Sequence, residues 1–114
     1  MKKTDDAPVI ARRISEFLCD YAPQFLAGSE HTLKGYKDSL VLYFQFLQGN
    51  GVSPECLSRT HLEKEWIEKW IAWLKDTRKN SPDTCNNRLA SFRRFLEYLA
   101  EKDRSRFRLE QRLP

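Results

Sequence analysis

The stretch Ser81–Leu99 reads SPDTCNNRLASFRRFLEYL. Ser81 suits a helix N-cap, because its hydroxyl can accept from a first-turn amide, and Pro82 suits the first helical position, where no N–H is needed. At 3.6 residues per turn, Leu89, Phe92, Phe95, Leu96 and Leu99 share one apolar face. Asn87, Ser91 and Arg94 lie opposite it. Asn86 and Arg93 flank them on one side, Thr84 and Arg88 on the other. The spacing predicts an amphipathic helix packed on a helical core. Its polar face is built from amides and arginines, although mixed lysine and glutamate would serve solubility equally well.

Three further segments show the same periodicity. After Pro8, the residues Ile10, Ile14, Phe17, Leu18, Tyr21 and Phe25 predict a helix to about Leu26, with Pro23 as a late kink or stop. Gly28 and Ser29 mark a stop and a new N-cap. A second helix is expected over 30–48, with Leu33, Tyr36, Leu40, Phe44 and Leu47 on its main face and Leu42, Tyr43 and Phe46 widening it. "GNGVSPE" ends it with turn chemistry. A third helix is expected to start at "THLE", where Thr60 and Glu63 have capping-box spacing, and to reach about Leu74. No strand-like alternation is present. The expected fold is all-α, a compact bundle of four main helices. The expected division is a flexible N-terminus over 1–8, a helical domain over 9–102, and an arginine-rich linker over 103–114 leading to more of a longer chain.

Bulk properties fit one small charged domain. The chain has 114 residues, 40% apolar and 32% charged, enough for a single modest core. The net charge is +4 and the pI about 9.1, which permits a polyanionic partner without requiring one. The cysteines, Cys19, Cys56 and Cys85, are odd in number and widely spaced, which argues against a disulfide framework and for free thiols in a reducing compartment. No cofactor motif and no Cys/His metal spacing is present. No run is long enough to span a membrane, and "MKKTDDAPVI" lacks the apolar core of a secretory signal. A cytoplasmic setting, in a bacterium, an archaeon or a phage-infected cell, is expected.

Catalytic constellations are missing. His31 and His61 read as exposed first-turn residues, and Glu63, Glu65 and Glu68 as a solvated face with local ion pairs. Binding is the stronger reading. Arginine can meet phosphates or guanine, asparagine can meet adenine, and hydroxyls near a helix start can hold a phosphate. The candidate contacts to double-stranded DNA are therefore Thr84, Asn86, Asn87, Arg88, Ser91, Arg93 and Arg94, joined by Lys34 and Lys37 on the second helix as phosphate contacts. A merely solvated polar face is the plainer account of the same residues. Trp66, Trp70 and Trp73 read as packing residues rather than base-stacking platforms.

Two stretches resemble tyrosine recombinases of the phage-integrase family. "SEHTLKGYKDSLVLYFQFL" follows that family's pattern at Thr32, Tyr36, Leu40, Phe46 and Leu47, with Tyr43 where a phenylalanine is usual. "SPDTCNNRLASFRRFLEYL" follows the companion pattern at Thr84, Asn86, Leu89, Arg93, Phe95, Tyr98 and Leu99. "THLEKEWIEKWIAWLKD" fits the helix between them. The resemblance spans about Val9 to Lys102 and implies the N-terminal core-binding domain, a SAM-like bundle whose second and fourth helices approach the major groove. It implies that strand transfer belongs to a separate C-terminal catalytic domain of the same protein, that other recombinase protomers assemble on the DNA, and that none of this chain's tyrosines is the nucleophile. Two departures stand out. Gly35 falls inside the second helix, where close approach of a neighbour or of DNA would explain it, and Asp38 stands on the expected DNA face.

Two rivals remain at this level. One is a helical protein–protein interaction module using the Trp-rich third helix. The other is a helix-turn-helix regulator, disfavoured because the break from Lys75 to Ser81 exceeds that motif's short turn.

Overall fold

The first helix starts earlier than Pro8. The computed structural model, which describes residues 3–26 and 28–107, has α1 over Asp6–Glu16 with Pro8 in its first turn. The first amides of a helix have no intrahelical acceptor, so proline costs nothing there. Thr4 anchors the start: its Oγ1 accepts from the Ala7 N–H at 3.1 Å and donates to the Leu57 carbonyl. Its own N–H reaches the Glu55 carbonyl at 3.1 Å. Asp6 and Ala7 are buried. The expected boundary at residue 8 therefore falls inside folded structure. Beyond Glu16 the chain continues as a π-helical segment, Phe17–Leu26, containing Pro23. The wider turns pass a residue that cannot donate to the helical ladder.

The second helix, α2, spans Glu30–Gly49, and the Ser29 hydroxyl caps it by accepting from the Thr32 N–H at 3.3 Å. Gly51, at φ +81, turns the chain into two short 3-10 turns, Pro54–Cys56 and Arg59–Leu62. The third helix, α3, spans Lys64–Asp76, and the fourth, α4, spans Pro82–Lys102. Ser81 caps α4 through the Thr84 N–H at 3.2 Å, with Pro82 at the first position as expected. Among the described residues there is no strand.

The expected capping box at Thr60 and Glu63 does not form. Glu63 precedes α3 with no side-chain cap, and Ser58 instead donates its N–H to His61 Nδ1 at 3.1 Å. His61 is consequently buried rather than exposed. Its ring stands edge-on to Trp66 with centroids 4.9 Å apart, and its carbonyl accepts from the Tyr43 hydroxyl.

The core is aromatic. Phe17, Tyr43, Trp70, Phe92 and Phe95 are essentially inaccessible. Tyr43 stacks on Phe92 at 4.4 Å, and Trp70 packs within 5.2 Å of both rings. Phe17 meets Tyr36 at 5.6 Å and Phe95 at 5.5 Å. Tyr43 thus lies against Phe92, and Phe17 bridges Tyr36 of α2 to the later part of α4. The apolar face predicted for α4 is buried in full, with Cys85 added to it, and Tyr98 is buried as well, on the Asn87 side near the end of the helix. Trp70 is a core residue, while Trp66 and Trp73 are half-buried against Phe46.

Residues 103–107 are packed rather than free. Arg13 Nε donates to Asp103 at 2.8 Å, Arg106 donates to Asp6 at 2.7 Å, and Phe107 is buried. Asp6 also accepts from the Arg59 backbone and guanidinium at 2.9 and 3.2 Å. Burial opposes ionisation of Asp6, but the hydrogen bonds from Arg59 and Arg106 outweigh it and lower its pKa to about 2. The first five residues of the expected linker are therefore clipped to α1. The rest of that expectation, 108–114, lies outside the described residues.

Candidate nucleic-acid interface

The outward side of α4 is a helix surface with two separate rows. Residues three and four apart are surface neighbours. Asn87, Ser91 and Arg94 form one row, bordered by Thr84 and Arg88 on the side that curves toward the core. Asn86 and Arg93, seven apart, form a second row in line with Ala90 and Glu97. Asn86, Asn87 and Arg94 are exposed, whereas Thr84, Arg88, Ser91 and Arg93 are half-buried. The α4 candidates are thus brought onto one helix but not onto one line.

Arg88 sits deepest. Its Nε is shielded from solvent with no hydrogen-bond partner among the described residues. Arg94 lies 3.8 Å from Glu97 in an exposed i, i+3 pair. An exposed pair at that distance contributes little to stability and leaves the arginine free to exchange partners.

The α2 candidates lie elsewhere. Lys34 and Lys37 flank Tyr36 on α2, which Phe17 bridges to Phe95 in the later part of α4. Thr84 and Asn87 are at the start of α4. Lys34 donates to Asp38 at 2.9 Å and is otherwise solvated. Lys37 edges a half-open apolar cleft of about 330 Å³ between α1, α2 and the first 3-10 turn, lined by Ile14, Leu18, Val41 and Phe44. The lysines of α2 and the amides of α4 thus stand on two different helices, and both lysines are exposed. Gly35 has open space where a Cβ would sit, so no neighbouring backbone within the chain requires glycine there.

One group of cations escaped the sequence reading. The break "KDTRKNSP" reads only as a connection, yet Lys75, Arg78 and Lys79 are all exposed and adjoin the Thr84 end of α4. The signal was three cations within five residues immediately before a helix start. No group of three His, Cys, Asp or Glu that could hold a metal ion converges among the described residues. No described helix is long and apolar enough to cross a membrane.

A family model described as "Phage integrase, N-terminal SAM-like domain" matches residues 24–103, from the end of the π segment to the close of α4. No curated protein and no solved structure matches the chain.

Proposed function

This chain belongs to the phage integrase N-terminal SAM-like domain family, and from that premise we propose that it holds duplex DNA for a tyrosine recombinase. The observation that carries the reading is the Asn87, Ser91 and Arg94 row of α4, which faces directly away from the buried Cys85, Leu89, Phe92 and Leu99. A helix anchored by that many buried side chains is a rigid bar. Its free row carries the donors that meet phosphates and base edges in a major groove. In this reading Thr84, Asn86, Arg88 and Arg93 widen the contact, and Lys34 and Lys37 touch phosphates farther along the duplex. Strand transfer is assigned to a catalytic domain of the same protein, and no residue of this chain takes part in the chemistry. Further protomers assemble on the same DNA, in the cytoplasm of the cell that carries it.

The test is an NMR titration of the chain with a short generic duplex at two salt concentrations. Amide shifts at Thr84, Asn87, Arg88, Ser91 and Arg94 that weaken as salt rises support the reading. Absence of any shift at low salt counts against it. The alternative, a helical protein–protein interaction module, draws on the half-buried Trp66 and Trp73 of α3. Lys69 lies over the Trp66 ring at 4.9 Å and Arg78 over the Trp73 ring at 5.9 Å, so much of that aromatic surface is already covered.

A further inference from the structure

Lys79 is the one described non-glycine residue with a positive φ, at 57°. L side chains rarely adopt the left-handed region, where glycine and asparagine are the usual occupants. The chain uses glycine where only a turn is needed, as at Gly51, φ +81. A lysine at this position therefore costs folding free energy that a glycine would not. The loop around it is fastened from beneath. The Thr77 N–H reaches the Trp73 carbonyl at 2.8 Å, the Asn80 N–H reaches the Leu74 carbonyl at 3.0 Å, and the buried Cys85 thiol contacts the Asn80 carbonyl at 3.9 Å. Arg78 is held against the Trp73 ring. Lys75, Arg78 and Lys79 are exposed, and none pairs with a carboxylate among the described residues. Asp76 and Asp83 are the nearby acids in sequence, so the loop and the first turn of α4 remain net positive.

We propose that this loop is a phosphate-contacting edge of the DNA surface, with Lys79 its principal contact and Lys75 and Arg78 in support. The inference rests on the duplex-binding reading and extends it past the N-terminus of α4. A cation on a fastened loop loses little freedom on meeting a phosphate. One on a free tail loses more. The strained position fixes where that charge stands relative to Thr84, Asn86 and Asn87, so the loop would set the register of α4 along the groove as well as adding affinity.

The experiment measures binding of the 114-residue chain to a labelled generic duplex by fluorescence anisotropy across a salt series, with melting curves in parallel. The proteins are the parent chain, Lys79→Gly, Lys79→Arg and Arg94→Ala. The expected result is that Lys79→Gly binds several-fold more weakly at low salt. Its slope of log affinity against log salt becomes shallower by about 0.9, the change for one phosphate contact. Its melting temperature stays equal or rises, and Lys79→Arg keeps the parent slope. An unchanged slope in Lys79→Gly, with Arg94→Ala weakened, overturns the loop contact while leaving the duplex reading intact. A lower melting temperature in Lys79→Gly would show that the lysine serves the fold instead. A parent chain that does not bind duplex at low salt overturns both readings.

Discussion

At the scale of single residues, solvent contact decides which side chains can be removed without harming the fold. Arg94 is exposed and loosely paired with Glu97, and Arg93 makes no ion pair among the described residues. Arg94→Ala and Arg93→Ala should each weaken duplex binding by about tenfold while leaving the melting temperature unchanged. Paired fluorescence titrations and melting curves check this, and intact affinity in either variant removes that residue from the surface. His61 behaves in the opposite way. Burial lowers its pKa below the ordinary 6.5, because the charged ring would lose solvation. Protonation of Nδ1 would also remove the acceptor for the Ser58 N–H. A histidine whose folded pKa lies below its unfolded value binds more protons when unfolded. Stability is therefore full above about pH 6.5 and falls as pH drops below it. His61→Gln should flatten that pH dependence in chemical denaturation between pH 7 and pH 5, and an unchanged profile would assign the dependence elsewhere.

Elements succeed or fail through shared contacts. The ring of Phe92 lies between Tyr43 and Trp70, so Phe92→Ala would leave a cavity bounded by three helices. A loss of roughly 3–5 kcal/mol is expected, enough to unfold much of a small domain. An unaltered melting curve would contradict the packing of α4 on α2 and α3. The N-terminal turn of α1 and residues 103–107 depend on each other through Asp6. Its carboxylate contributes stability that is full above about pH 4 and lost as pH falls toward 2, because its folded pKa lies below the ordinary 3.8. Asp6→Asn keeps the shape and removes the charge that Arg59 and Arg106 meet. It should cost about 1–3 kcal/mol and make Arg104 and Arg106 faster sites for trypsin. Equal cleavage rates in the variant and the parent would show that Phe107, rather than the ion pairs, holds the strap.

For the molecule as a whole, the placement of cations on more than one element sets what a duplex can touch at once. They stand on the α3–α4 loop, at Arg88, Arg93 and Arg94 of α4, and at Lys34 of α2. Such spacing suits a long polyanion better than a compact anion. Affinity should therefore fall steeply with salt, at about 0.9 in logarithmic slope for each phosphate neutralised. Shortening the duplex until it no longer spans α4 should reduce that slope. A slope independent of duplex length would point to one local contact in place of an extended surface.

The sequence alone determined that the chain is all-α, where α2 and α4 begin, and which face of α4 is buried. These are local matters of periodicity and capping, set by residues a few positions apart. The motifs around Thr32–Leu47 and Thr84–Leu99 also made the family legible. The capping of α3, the burial of His61 and the fate of the N- and C-terminal segments were not legible. Ser58 competes with Thr60 only once the 3-10 turn has formed. Asp6 gains its role from Arg59 and Arg106, which lie 53 and 100 positions away. How Lys34 and Lys37 stand relative to Asn86 and Asn87 likewise depends on how α2 meets α4, where Tyr43 stacks on Phe92 and Phe17 bridges Tyr36 to Phe95. Periodicity reports which side of a helix is dry, whereas only the packed core decides which helix lies against it and in which direction it runs.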